Sequence, residues 1–486
     1  MTLTPTSEQL AIITAATETN DNLLISALAG AAKSTTLELL AAEIPKVNTI
    51  CLAFNKRIAD ELTKRMPPAY TVKTLNALGF AIWKDAIRTR TYVSFKKTIS
   101  IFKEEIKDLP SAEQNDWWKV WPDIRNAIDK GKSAGYVPNN YPRNNTRIMC
   151  DDDFYSYLEV EPTEEEFALI KRIYTVGLDQ SFSGTIDFAD QLLMPTVFPA
   201  PYPRFTQILI DEAQDLSTLN MQMLQRLYRK RIIAVGDQRQ AIYGFRGAHS
   251  SGMGEMQKLF SMEKMTLSCS FRCPEEIVEH VRWHAPHMTS WSGTETGLVT
   301  HKSIWSLKDL KPNDAIICRN NAPLLALALA MLKSGIYPNL WGNDIAAGLI
   351  FEMKKFGPDN MVQAQVLSVI DSWERTKLNK SRRKNQVKDR ANCFRYLAQA
   401  GEDLGQILEY AKRVFNSDGK IDLLTGHKSK GHEFKRVWFL DAELIGDNEQ
   451  ENNLRYVIAT RSLCELTYIN TDGCVELTDT AASEDR

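Results

Sequence analysis

The chain has 486 residues, too many for one compact core and enough for about two to four domains. A hydrophobic share of 43% and a charged share of 25% are those of an ordinary globular protein and exclude a disordered or fibrous chain. A net charge of −2 excludes a global field for polyanions, so any nucleic-acid binding must come from local patches. The eight cysteines form no C-x-x-C pair, which points to reduced thiols and a cytoplasmic setting. The closest pair, Cys269 and Cys273, falls in a stretch that reads as helical. MTLTPTSEQ lacks a basic-then-apolar leader. No apolar run reaches the ~18 residues of a membrane span, and the longest, APLLALALAMLKSG, reads as a buried helix.

In chain order, LLIS (23–26) runs into a loop and then TLELLAAEI; TICLAF (49–54) precedes RIADELTKRM; QILIDEAQDLS (207–217) and IIAVGD (232–237) follow much later. A second block has AIICRN (315–320), IDLLT (421–425), RVWFLD (436–441) and LTYIN (466–470). Short apolar strands alternating with helices predict parallel sheets covered on both faces. The expected organisation is two α/β domains, each interrupted. The first is 1–85 with 181–250, holding an insertion at 86–180. The second is 251–345 with 419–480, holding a smaller insertion at 346–418. A tail covers 481–486.

The loop SALAGAAKSTT (26–36) resembles a phosphate loop but misses the pattern G-x-x-x-x-G-K-[ST], because Ala27 and Ala32 stand at its glycine positions. Such a loop works through backbone N–H groups at a helix N-terminus, with a lysine at the terminal phosphates and a hydroxyl on Mg²⁺. Lys33 and Ser34 are in place and Gly30 supplies a flexible point. If the backbone at Ala32 needs φ > 0, alanine there costs of order 1 kcal/mol. The alternative is a structural strand–turn–helix. LIDEAQD (209–215) sets two adjacent carboxylates at a strand end, suited to metal ligation by Asp211 and water activation by Glu212; an acidic helix cap is the other reading. AVGDQRQAIYGFRGA (234–248) again ends a strand in polar groups, then adds aromatics and an arginine, as a nucleotide sensor joined to a base-stacking surface needs.

Together these stretches resemble motifs of superfamily 1 helicases of the UvrD/Rep type, in order over nearly the whole chain. SEQLAI resembles the Q motif, LAFNKRIADEL motif Ia, TVKTLNALG motif Ib, LSCSFRCPEEI motif IV, TGHKSKGHEF motif V and NNLRYVIATRS motif VI. The AFNK and HKSKG wording is closer to the F-box helicase branch. The resemblance implies two RecA-like P-loop domains, each with an inserted subdomain, and ATP with Mg²⁺ between them. It implies that Gln9 reads adenine and Phe271 stacks on it. Ala29, Gly30, Ala31, Ala32, Lys33, Ser34 and Thr35 would cradle the phosphates, with Ser34 and Asp211 on the metal. Gln240, Arg272 and Arg461 would touch the γ-phosphate, and Glu433 the ribose beside Gly431. Single-stranded DNA, or its junction with duplex, would lie on Phe54, Asn55, Thr74, Asn76, Tyr243, Phe245, Arg246, His427 and Lys428. The implied activity is ATP-dependent 3′→5′ movement on DNA. The alternatives are a DNA- or partner-binding module with weak ATP use, and a translocase that displaces proteins without unwinding.

Other features read more plainly. His280, His284 and His287 have metal-like spacing, but a structural role at a helix end fits better. WWKVW (117–121) suits an insertion's core or a stacking surface. The basic run 375–390 carries eight basic residues and one acidic; it suits either phosphates or solvent. The acidic run 151–166 would repel DNA and suits a free surface or a protein contact.

Overall fold

The computed structural model describes residues 5–158, 160–242, 252–381 and 383–477. The chain forms two compact units, one from the N-terminal part up to Ala27 with Ala32–Leu267, the other from Leu28–Ala31 with the chain from Ser268 on.

The first unit is built on six parallel strands: β1 (Leu23–Ala27), β2 (Thr49–Ala53), β3 (Thr71–Thr74), β4 (Phe205–Ile210), β5 (Tyr228–Gly236) and β6 (Glu263–Leu267), in the spatial order β3-β2-β4-β5-β1-β6. Every residue of β2 is buried, and so are Gln207–Ile210 of β4. Such runs belong to central strands covered on both faces, which is why they read as continuous apolar segments. Leu24, Ile50, Leu52, Ile208 and Ile210 pack with Leu78, Ile82 and Leu224 from covering helices. The edge strand β6 is mostly exposed and polar, and it lies past the expected 250/251 boundary; the first unit therefore runs on to Leu267.

Between β3 and β4 lies a helical insertion with its own aromatic core. WWKVW builds that core: Trp121 stacks on Phe102 at 4.3 Å, and Trp118 meets Phe102 edge-on at 5.0 Å. The acidic run resolves into two helix starts. Asp151, Asp152 and Asp153 occupy the first turn of Asp151–Tyr157; Glu164, Glu165 and Glu166 occupy that of Glu164–Phe182, where Thr163 and Glu166 form a capping box. Negative charge there complements the helix dipole.

One polar cluster lies inside this region. Asp190 is fully buried and receives Lys97 Nζ at 2.5 Å and Lys132 Nζ at 2.8 Å, while Lys132 also pairs with Asp187. Burial opposes the Asp190 charge, but Lys132 and Lys97 overcome it and hold the carboxyl below the usual carboxylate range.

The second unit has six parallel strands: β7 (Leu298–Lys302), β8 (Ala315–Cys318), β9 (Pro338–Leu340), β10 (Ile421–Thr425), β11 (Phe434–Leu440) and β12 (Ser462–Ile469), in the order β7-β12-β11-β8-β10-β9. The apolar stretch is the helix Asn321–Lys333, buried nearly all round. Its N-terminus is capped from a distance, since the Asp389 carboxylate accepts from the N–H groups of Asn321 (3.2 Å) and Ala322 (3.0 Å). The helices Gln363–Lys380, Lys384–Ala398 and Leu404–Phe415 contribute Val366, Ile370, Phe394, Leu397 and Val414 to the same core as the second sheet. That stretch is thus packed into the unit's own interior.

Cys269 and Cys273 depart from the helical reading. Cys269 lies in a two-residue strand, and Cys273 precedes Pro274, after which the helix Glu275–Val281 begins. All eight cysteines are free. Among the described residues no helix is long and apolar enough to cross a membrane.

Removing one member of a buried ion cluster strands the others. Asp190→Ala is expected to cost about 3–5 kcal/mol in denaturant unfolding of the first unit. A cost under about 1 kcal/mol would show that water reaches the two lysines.

Candidate nucleotide site and nucleic-acid surface

In a parallel sheet, ligands gather where strands end, because the carboxyl edge is followed by loops and helix N-termini. Here β1 opens into the loop 28–32, then the helix Lys33–Glu43, which no side chain caps. Gly30 has φ 72° and Ala32 has φ 55°, ψ 45°. Ala32 therefore adopts the left-handed turn that the usual glycine would take, with its methyl group in place. For an L-residue that conformation costs about 1 kcal/mol. The loop makes this turn with alanine and carries the strain.

Ser34 Oγ donates to Asp211 Oδ2 at 3.0 Å, and Lys33 Nζ lies 3.9 Å from Glu212 Oε2. The phosphate-loop residues and the two carboxylates thus meet at one sheet edge. Asp211 is 2% exposed, and its N–H donates to the Leu52 carbonyl at the end of β2. Burial first, then the neighbouring Glu212 charge, push the Asp211 carboxyl up to about 7, against the pull of Lys33 and Ser34. Glu212 sits at φ 55° and donates its own N–H to Asp211 Oδ1 at 2.9 Å.

This donor set suits Mg²⁺. It offers a hydroxyl and a crowded carboxylate, both hard oxygens, and a cation would relieve the repulsion that raises Asp211. Among the described residues no group of three His, Cys, Asp or Glu side chains could hold a metal. Mg²⁺ does not need one, because it takes one or two protein ligands and completes its shell with water and phosphate oxygens.

Gln214, which the motif contained but sequence reasoning left without a role, joins the parts. It is fully buried; its Nε2 donates to Glu212 Oε2 at 2.6 Å and its Oε1 accepts from the Asp237 N–H at 2.9 Å. Asp237 Oδ2 in turn accepts from Gln240 Nε2 at 2.7 Å. The approach needs Gly236, where a Cβ would lie 2.6 Å from Gln214 Oε1. Thr36 was missed as well. It accepts from Gln9 Nε2 at 3.1 Å, while Gln9 Oε1 accepts from the Thr6 N–H in a capping box. Gln9 is thus buried with its amide bonded at both ends, and Thr35 follows Ser34 in the first helical turn.

In the second unit, Arg272 forms an ion pair with Glu433. Arg461 is 1% exposed; its Nε donates to the Val457 carbonyl at 2.9 Å, and its Nη groups to His432 O and Thr460 Oγ1. Burial, then the nearby Arg272 charge, lower its pKa to about 10. Gly431 has φ 85°. Phe271 is 38% exposed, and its N–H donates to the Gly30 carbonyl at 2.9 Å. The Ala29 N–H donates to the Tyr456 hydroxyl at 3.0 Å, and Ala31 closes a turn onto Leu28 O.

Of the nucleic-acid candidates, four sit at or just past the carboxyl ends of the paired strands β2 and β3, Thr74 being the last residue of β3. Phe54 is half-buried. Asn55 and Thr74 cap the helices Lys56–Arg65 and Leu75–Ile87, and Asn76 Nδ2 donates to the Phe188 carbonyl at 3.2 Å. His427 and Lys428 follow β10, where Lys428 Nζ donates to the Trp341 carbonyl. Tyr243, Phe245 and Arg246 lie outside the described residues. Two of the three histidines take structural partners: His280 bonds the Tyr468 hydroxyl at 2.7 Å and His284 the Asn453 amide at 2.8 Å.

Two RecA-like parallel-sheet domains, one opening through a phosphate-type loop onto a carboxylate pair, define the class. A family model for the UvrD/REP helicase N-terminal domain matches residues 6–261, more than half of the chain, and the chain belongs to that family. It is 23% identical to F-box DNA helicase protein 1 of Schizosaccharomyces pombe, over 94% of this chain and 56% of that protein. It is 25% identical to DNA helicase II of Haemophilus influenzae, over 53% of this chain and 37% of that one. It is 24% identical to ATP-dependent DNA helicase Rep of Buchnera aphidicola, over 42% and 29%. The chain thus spans about half or less of the length of these relatives.

Ala32→Gly should release about 1 kcal/mol of folded-state strain, part of which the freer unfolded chain takes back. The expected result is an unchanged or higher denaturation midpoint; a clearly lower one would mean that the methyl packs rather than strains.

Proposed function

We propose that the chain is an ATP-driven motor that moves on single-stranded DNA and opens duplex at a junction, with the 3′→5′ polarity that its family resemblance implies. The observation that carries this reading is the meeting of Lys33 and Ser34 with Asp211 and Glu212 at one sheet edge. In this reading residues 86–180 and 346–418 are subdomains inserted into the two motor domains, and either one offers a surface to a protein partner.

Each residue then has a physical task. The Lys33 ammonium and the N–H groups of residues 29–35 bind the phosphates of ATP, those of Ala29 and Ala31 by exchanging their present partners, the Tyr456 hydroxyl and Leu28 O, for phosphate. Ser34 and Asp211 would hold Mg²⁺, which when bound supplies positive charge to the phosphate oxygens. Glu212 orients the attacking water and draws on its proton. Gln214 fixes the Glu212 carboxylate against Asp237, and through Asp237 sets Gln240 for the γ-phosphate. Arg272 and Arg461, which the family resemblance assigns to the γ-phosphate, act on that phosphate. For Arg272 that requires exchange of its Glu433 partner for phosphate. On the DNA side, Phe54 and the aromatics Tyr243 and Phe245 stack bases in a sequence-tolerant way. Asn55, Thr74, Asn76, Arg246, His427 and Lys428 contact the strand.

A second reading, a DNA-binding module that uses ATP weakly, draws on the strained Ala32. ATPase turnover with and without single-stranded DNA separates the two. The wild type should show DNA-stimulated turnover, and Lys33→Ala and Glu212→Gln should each lower it about 100-fold or more. Turnover of Ala32→Gly should stay within about tenfold of wild type, because the strain is only about 1 kcal/mol. A folded wild type that binds DNA but turns over no ATP would sink the motor.

A further inference from the structure

The second unit holds two large aromatic side chains side by side at its surface. Phe271 is 38% exposed and Trp291 is 47% exposed, with ring centroids 5.8 Å apart and planes tilted by 42°. Scattered exposed hydrophobics are ordinary, but this pair is built. The Trp291 N–H donates to Ser270 O at 2.9 Å, which fastens its loop to the segment carrying Phe271 and Arg272. That loop is closed on itself, because Thr294 donates to Trp291 O from both its N–H (3.0 Å) and its hydroxyl (2.8 Å). Ser290 Oγ donates to Cys273 O at 2.9 Å, a second tie between the two segments. The indole lies over Gly293, where any Cβ would collide with the ring. The backbone is thus fitted around the indole although nearly half of it faces solvent.

A parallel stack would cover one face of each ring with the other. A tilt of 42° instead opens a wedge, with an aromatic wall on each side. A flat, polarizable ring is the ligand chemistry that such a wedge accepts. Phe271 is anchored at Gly30, in the loop that leads to Lys33.

We propose that Trp291 forms a second wall of the nucleobase subsite, so that the base of a nucleoside triphosphate lies against both Phe271 and Trp291. This rests on the motor reading, in which Phe271 meets the base. Two aromatic walls favour the larger face of a purine over a pyrimidine.

The test uses the full chain with single-stranded DNA, and compares wild type with Trp291→Ala and Trp291→Phe. Inorganic tripolyphosphate, which carries the phosphates without a base, is the competing probe. The expected result for Trp291→Ala is an about tenfold rise in KM for ATP, the size of one lost base–aromatic contact, with kcat within about twofold. Inhibition by tripolyphosphate should be unchanged, and Trp291→Phe should recover most of the KM. An unaltered KM in Trp291→Ala overturns the proposal. So does a matching loss of tripolyphosphate inhibition, which would mark general damage to the site. A wild type that does not hydrolyse ATP with single-stranded DNA present overturns the motor reading itself, and is told apart by failing before any substitution is made.

Discussion

The burial of the Asp211 carboxylate beside that of Glu212 is the constraint on which the rest of the first unit turns. Removing a charge from water is costly unless partners replace the lost solvation. Asp211 finds them in the Ser34 hydroxyl and the Glu212 N–H, and its own N–H is taken by Leu52 O. Each partner imposes a condition of its own. Glu212 can donate back to its neighbour only by turning left-handed at φ 55°. Ser34 is brought into reach only because the loop makes its own left-handed turn at Ala32. Leu52 is available only because β2 and β4 are adjacent and parallel. The strained backbone angles in this site are therefore linked consequences of holding two carboxylates at one strand end.

The second sheet repeats the architecture but disposes its polar residues differently. Asp441 follows β11 as Asp211 follows β4, but here the aspartate itself has positive φ, 50°, whereas after β4 it is the next residue, Glu212. Its carboxylate is consumed internally, accepting from both the N–H and the hydroxyl of Thr471. The residues assigned to nucleotide lie at the other end: Glu433 just before β11, and Arg461 just before β12, where Phe434 pairs with Ser462. The two sheets share parallel strands and crossover helices but not strand order, and opposite strand ends carry the candidate chemistry. Fold alone would not have placed it.

Much of this was legible in the residues. Buried central strands read as apolar runs because both their faces are covered, so β1, β2, β4, β5, β8, β10, β11 and β12 announce themselves. The tryptophan cluster was legible as a core for a similar reason, since rings at that density bury one another. Edge strand β6 was not legible: EKMTL has one face in water and no apolar run, and the expected boundary fell too early as a result. The helical reading around Cys269 fails because the helix begins only after Pro274, and the residue before a proline is biased towards extended backbone. The sharing of one core by Phe394, Leu397 and the second sheet rests on contacts distant in sequence, which no local pattern encodes. At Ala32, sequence could state the cost of a left-handed turn but not whether the chain would make it.

Gln214 shows where a motif stops being sufficient. Its presence in IDEAQD is plain, but its task depends on Gly236, which leaves room for its amide, and on Asp237, whose N–H that amide accepts. The result is an unbroken polar chain from Lys33 through Glu212, Gln214 and Asp237 to Gln240. Gln214, Asp237 and Gln240 are buried, so displacing any one of these three unpairs a neighbour at about 1–3 kcal/mol. In the proposed motor, arrival or loss of charge at Lys33 is therefore felt at Gln240 without any large movement of the sheet between them. The polar side chains at the ends of β4 and β5 carry that signal, while the buried strands behind them stay fixed.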